Sequence, residues 1–176
     1  MGKRNYSSLP HLNEDVARLV EDFDRETDRG VALLGAAFLD DVLDVLIRAF
    51  LVDQPDAVSK LMGAGRPLES FGSRAHLAFC VGLLGRDVYH DINLIREIRN
   101  DFAHRQPTTF NQSEIRLKCE RLKTVKLMLP DESCGCRERF IVAVVLIANH
   151  LLVAAETQEH QPLGKDFSEN GVLRLK

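Results

Sequence analysis

Apolar residues recur at spacings of three and four along almost the whole chain, and this period is typical of helices. The two strongest patterns cover residues 30–53 and 137–156, where apolar residues occupy most of the helical circumference. Helices of this kind are buried on nearly every side, so we expect both at the centre of a helical domain. The second is rich in β-branched residues, which would also suit a strand, but its length favours a helix.

Weaker patterns predict five more helices, separated by ordinary chain breaks. They cover residues 13–28, 56–62, 71–84, 87–104 and 111–127. Ser70 is a predicted N-cap, and Gly85 is a predicted C-cap. At 176 residues, one domain is expected. The sequence therefore predicts an all-α, single-domain bundle of about seven helices over residues 13–156, with residues 1–12 and 157–176 as flexible termini.

Composition narrows the function classes. The net charge of −3 argues against a protein coated in positive potential for duplex DNA. No uninterrupted apolar run reaches the length of about 18 residues that a membrane span needs, and no secretory signal follows the basic start. Cys80 and Cys119 fit helical cores, while Cys134 and Cys136 lack zinc-finger spacing. We expect a cytoplasmic protein without a membrane span, metal or cofactor.

The stretch from Ile95 to His104 contains the polar residues that are best suited to catalysis or phosphate binding. It places Arg99, Asn100 and His104 at the end of an amphipathic helix. Arg99 and His104 are about 140° apart on an ideal helix, so a frayed last turn would be needed to bring them to one rim. An arginine binds phosphate, and a histidine near helix-end carbonyls can act as a general acid or base.

The same residues have a structural interpretation. Arg99 can pair with Asp40, Asp44 or Asp101, and His104 can cap carbonyls. A catalytic interpretation has a further requirement, since one histidine cannot easily act as both acid and base. It therefore predicts a homodimer in which two such helix ends face each other across a two-fold axis.

Three blocks of the chain resemble the bacterial mannitol operon repressor family. They are residues 29–51, residues 67–74 (Pro-Leu-Glu-Ser-Phe-Gly-Ser-Arg) and residues 94–104. The blocks lie in order, and the resemblance covers roughly residues 15–155. It implies an all-helical transcriptional regulator that lacks a recognisable DNA-binding motif. The third block is also similar to the Arg-x4–6-His signature of the HEPN superfamily, which implies a HEPN-like bundle and includes metal-independent ribonucleases.

The matching blocks contain most of the charged residues that we expect to meet in space. We expect a polar network around the motif, formed by Arg29, Asp40, Asp41, Arg74, Arg96 and Asp101. Such a network stabilises a bundle only if every member is paired.

Residues 111–127 form the most basic segment. Five cations stand there against Glu114 and Glu120, a local net charge of +3. The cations, which would contact a nucleic-acid backbone, are Arg116, Lys118, Arg121, Lys123 and Lys126.

Two main hypotheses follow. The first is a transcriptional regulator that acts as a protein-interaction module with a protein partner. The second is a metal-independent endoribonuclease that uses Arg99, Asn100 and His104 across a homodimer, with RNA as its substrate. Sequence-specific DNA binding by this chain alone is not expected, because aromatic residues for base stacking are few and no helix-turn-helix is obvious. A small-molecule sensor is a third class, for which the sequence names no ligand.

Overall fold

The computed structural model describes residues 12–104, 108–127 and 134–164, and these ranges are helical with no strand. Seven α-helices and one short 3-10 helix follow in order. They are α1 (Glu14–Phe23), α2 (Asp28–Phe50), α3 (Pro55–Ser59), α4 (Phe71–Cys80), α5 (Arg86–His104), α6 (Ser113–Glu120), the 3-10 helix Thr124–Leu127, and α7 (Cys136–Thr157). The predicted all-α bundle of about seven helices is confirmed.

Helices α2 and α7 form the centre of the bundle, as their apolar patterns predict. Helix α2 begins where the Thr27 side chain accepts a hydrogen bond from the Gly30 amide, an ordinary N-cap. Gly35 sits where α2 meets α1 and α7, and a Cβ added there would lie 3.2 Å from Phe23, Phe140 and Val144. The glycine therefore allows the close approach of the three helices.

Helix α7 is long and apolar enough, by length and composition, to cross a membrane. Many of its residues are instead buried against the rest of this chain, among them Phe140, Val144 and Ile147. Burial of each large side chain of this kind stabilises a fold by about 1.5–3 kcal/mol. Packing within the bundle thus accounts for the apolar character of the helix.

The turn between α1 and α2 divides the segment 13–28, which the sequence pattern predicts as one helix. Helix α1 ends at Phe23 and α2 begins at Asp28. Arg137, near the start of α7, donates hydrogen bonds to the carbonyl oxygens of Phe23 (3.0 Å) and Glu26 (2.7 Å) and to Asp28 Oδ1 (2.8 Å). One guanidinium therefore fixes the turn and ties it to α7.

Helices α4 and α5 pack against each other and against α2. The Ser70 hydroxyl caps α4 by accepting from the Ser73 amide, as predicted. Helix α4 ends earlier than predicted, and the left-handed residue after it is Gly82 (φ +84°) rather than Gly85. Cys80 was predicted to lie in the core, but it is exposed at the end of α4.

The basic segment 111–127 is not one helix. Helix α6 ends at Glu120, and a 3-10 helix begins at Thr124. The fully buried carboxylate of Asp91 on α5 accepts hydrogen bonds from the Lys123 amide, the Thr124 amide and the Thr124 hydroxyl, all between 2.8 and 3.0 Å. These bonds cap the 3-10 helix and give the chain a reason to turn there.

Candidate functional site

Arg99, Asn100 and His104 lie on the last turns of α5, at one end of the bundle. Arg99 and Asn100 are half-buried, and His104, the last residue of the helix, is exposed. Within the described ranges, no hydrogen bond or ion pair engages the side chains of these three residues. The structure thus leaves the imidazole open to solvent, while the surrounding carbonyls give this helix end a partial negative charge.

Arg29 on α2 supplies a cation at the same end of the bundle. Its Nη2 donates to the carbonyl oxygen of Ala103 at 3.3 Å, one residue before His104. The last carbonyls of an α-helix lack intrahelical partners, so a half-buried arginine there stabilises the helix end. Arg29 is one of the six residues predicted to form a supporting polar network, and its hydrogen bond lies one residue from His104.

Asp40 and Arg74 form the centre of a separate charge cluster between α2 and α4. Arg74 Nη1 lies 2.5 Å from Asp40 Oδ1, and Arg74 Nε lies 3.5 Å from Asp44 Oδ1. Arg48 also pairs with Asp44 one turn along α2. The Arg74 side chain is only 12% exposed, so its charge is balanced mainly by these two carboxylates.

The electrostatics of Asp40 reflect opposing causes. Burial raises the pKa of this carboxyl above 3.8, while the hydrogen bond and charge of Arg74 oppose the rise. Asp41 raises the pKa further, and Arg99 lowers it. Arg99 is the smallest of these influences, so its charge reaches Asp40 without a direct pair among the described residues.

Arg96 and Asp101 lie away from that cluster. The Arg96 guanidinium covers Gly72 at the start of α4, where an added Cβ would lie 3.1 Å from its Nη1, and it donates to Asn93 at 3.3 Å. Asp101 instead faces α6 and pairs with Lys118 at 2.7 Å. Asp41 is exposed on α2. The six residues predicted as one network are thus distributed over separate places.

The basic surface predicted for nucleic acid is partly neutralised by the chain itself. Lys118 pairs with Asp101 and lies 3.5 Å from Glu97, while Lys123 pairs with Asp87 at 2.6 Å. The remaining three cations, Arg116, Arg121 and Lys126, are exposed. Arg116 lies 3.7 Å from Glu120. They form a smaller basic surface than the sequence predicts.

Three residues with structural importance were missed by sequence reasoning. Arg48 could have been found from its spacing of four from Asp44 on one helix. Asp91 and Arg137 act on segments more than 30 residues away along the chain, and the sequence carries no local signal for either contact. Within the described residues, no group of three or more His, Cys, Asp or Glu side chains could hold a metal ion.

The fold has a counterpart among solved structures, although no family model and no curated protein matches the sequence. A chain in the X-ray structure of the MtlR-HPr complex from Escherichia coli is similar with a TM-score of 0.64 and 18% sequence identity. The similarity covers 81% of this chain and 99% of that chain. At this identity the comparison establishes a shared helical fold.

Proposed function

We propose that this protein is a mannitol-operon-repressor-like transcriptional regulator that acts mainly as a protein-interaction module. The observation that carries the proposal is the fold likeness to a chain that was solved in the MtlR-HPr complex. The resemblance of three sequence blocks to the mannitol operon repressor family supports the same conclusion from residue identities. The protein partner, by this reasoning, is HPr or a protein like it.

The state of the basic surface supports a protein partner over direct DNA reading. Counterion release from phosphates supplies most of the affinity of DNA-binding proteins, and each contact needs an available cation. Lys118 and Lys123 are held in ion pairs with α5, and α6 is only eight residues long. Four of the five cations are exposed, and two of these, Lys123 and Arg116, already lie beside carboxylates. Such a set suits a rim of ion pairs around a protein interface better than a nucleic-acid track.

The direct test is a calorimetric titration of the full-length protein with purified HPr. We expect saturable binding at protein concentrations in the micromolar range, together with co-elution on a sizing column. Charge reversal of the exposed basic residue Arg121 to Glu, compared with Glu21→Lys on α1, then asks which face takes part. Absence of binding to HPr, with a normally folded protein, would show that this protein differs from its structural neighbour in its partner.

A second candidate function is a metal-independent ribonuclease, and the exposure of His104 is the observation that favours it. An imidazole open to solvent can exchange protons with a bound RNA, and Arg29 and Arg99 supply nearby positive charge. Because each chain brings one such histidine, this function needs a homodimer with both helix ends in one cleft.

Single-stranded RNA incubated with the protein in EDTA tests the ribonuclease. His104→Ala should abolish cleavage, while His150→Ala, a change of another exposed histidine on α7, should leave it intact. Sedimentation velocity on the same samples reports whether a dimer forms. Equal background cleavage by the native protein and both variants would exclude the enzyme.

A further inference from the structure

Three side chains at the junction of α4 and α5 form a cluster apart from the sites above. Cys80 is the last residue of α4, and His76 lies one turn earlier on the same helix. Cys80 Sγ lies 3.8 Å from His76 Nε2, and His76 Nδ1 lies 3.1 Å from the hydroxyl oxygen of Tyr89 on α5. A nucleophile, a base and a group that orients the base thus stand in sequence, the arrangement that activates thiols in proteins.

The orienting group is itself held in place. The Tyr89 ring stacks on the ring of Phe79 with centroids 4.3 Å apart and planes within 9° of parallel. Tyr89 and Phe79 are both half-buried, so the hydroxyl has a defined position. When His76 carries its proton on Nδ1 and donates it to Tyr89, Nε2 is left free to accept the proton of Cys80.

The other three cysteines of the chain have different surroundings. Cys119 is fully buried, and burial, with Cys136 nearby, raises the pKa of its thiol to about 12. Cys134 is buried, and Cys136 is half-buried. Cys80 is the one exposed thiol among the four, and therefore the one that a reagent in solution can reach.

Because Cys80 lies at a helix C-terminus, its reactivity near neutral pH depends on His76. The carbonyl dipoles at this end of α4 carry partial negative charge and oppose formation of a thiolate, although the carbonyls of Leu77, Ala78 and Phe79 accept bonds from amides of the following turn. A proton acceptor in direct contact with Sγ leaves an imidazolium beside the thiolate and offsets this opposition.

We propose that Cys80 is a site of thiol–disulfide exchange with small disulfides such as oxidised glutathione, with His76 as proton acceptor and Tyr89 as positioning residue. The Cys80 proton passes to His76 Nε2, and the thiolate attacks one sulfur of the disulfide. A new S–S bond forms to Cys80 as the S–S bond of the reagent breaks. The leaving thiolate takes up the proton from His76, so atoms, charge and electrons balance, and the mixed disulfide carries its small group on the surface beside Tyr89.

The test uses the full-length, reduced protein with oxidised glutathione and with an aromatic disulfide that releases a coloured thiolate. We expect one fast phase at pH 7, mapped to Cys80 by peptide mass spectrometry and absent in Cys80→Ser. His76→Gln should slow this phase by about tenfold or more, and Tyr89→Phe by a smaller factor. His150→Gln, which changes another exposed histidine, should leave the rate unchanged.

Measuring the same rates at a second, higher pH distinguishes a loss of proton transfer in His76→Gln from a loss of packing. Above pH 9 hydroxide itself can take the thiol proton, so formation of the thiolate no longer depends on a base in the protein. The difference in reaction rate between the native protein and His76→Gln should then narrow to about twofold or less. A packing defect would instead slow the variant equally at both pH values. Equal rates for the two proteins at pH 7, an undiminished difference above pH 9, or modification mapped to Cys136 would each overturn the proposal.

Discussion

Two regions of this bundle contain arginines, and they differ in whether carboxylates pair with them. Between α2 and α4, Arg74 lies against Asp40 and Asp44, and a further arginine pairs along α2. At the end of α5, the side chains of Arg99, Asn100 and His104 make no hydrogen bond within the described residues. The charges between α2 and α4 pair with one another, as expected for residues with a structural role. The side chains at the end of α5 retain the donors and acceptors that a ligand or partner would need.

The difference follows from what faces each arginine. Two carboxylates one turn apart on α2 face Arg74, and a half-buried guanidinium is stable only with such partners. Arg99 has a weaker link, because it influences Asp40 through its charge without a direct pair. Two arginines that both influence Asp40 thus differ in their direct partners, because Arg74 has two carboxylates and Arg99 has none among the described residues.

The largest expected effect is that of Arg74→Met, which retains much of the side-chain volume and removes the charge. Asp40 and Asp44 would then be left without this partner, and breaking such a half-buried pair should lower the free energy of unfolding by about 3 kcal/mol. Urea denaturation followed by circular dichroism measures the loss. The effect should shrink in an Asp40→Asn background, because part of the stranded charge is already gone.

Arg99→Met is the matched control for that comparison. It removes an arginine with no direct ion pair among the described residues, so its effect should stay below about 1 kcal/mol. If both variants lost the same stability, the two regions would not differ in the way proposed here.

An intermediate effect is expected for Lys118→Met on α6. Its ammonium pairs with Asp101 at 2.7 Å, and the two side chains are 24% and 14% exposed. A partly exposed pair of this kind contributes about 1 kcal/mol or less. Arg121→Met on the same surface should change the midpoint of denaturation by even less, and a larger loss for Arg121 would show that the basic surface has a structural role that its exposure hides.

The sequence was sufficient for the elements whose cause is local. The apolar periods of α2 and α7 and the Ser70 cap follow from residues within a few positions of one another. The grouping of charges was predicted less well. Asp101 pairs with α6 rather than with the proposed network, because residues 99 and 101 face different sides of α5 and no sequence pattern shows which helix packs on each side.

The break of the basic segment 111–127 had the same kind of cause. Its residues suit one continuous helix, yet the buried carboxylate of Asp91 competes for the amides of Lys123 and Thr124. A contact across 32 residues of chain overrides the local preference. Long-range polar contacts of this type are what a single sequence conceals.

A smaller effect is expected in the pH dependence of stability. Burial raises the pKa of Asp40 in the folded protein above 3.8, so the folded state binds its proton more tightly than the unfolded state. The contribution of this group is complete below pH 3.8 and is lost as the pH rises through the raised value. The free energy of unfolding of the native protein, measured relative to Asp40→Asn, should therefore fall by less than about 1 kcal/mol across that window. A relative stability that rises with pH would reverse the assigned cause.

The smallest effect on stability should come from His104→Ala. The imidazole is exposed and lacks a partner within the described residues, so the free energy of unfolding should stay within about 0.5 kcal/mol of the native value. Thermal melting measures this beside the RNA-cleavage and HPr-binding assays on the same samples. Because the fold is expected to persist, a loss of either activity in this variant identifies a functional imidazole directly. A melting temperature lowered as far as that of Arg74→Met would instead place His104 among the residues that hold the bundle together, and the contrast between the two regions would fail at its most exposed member.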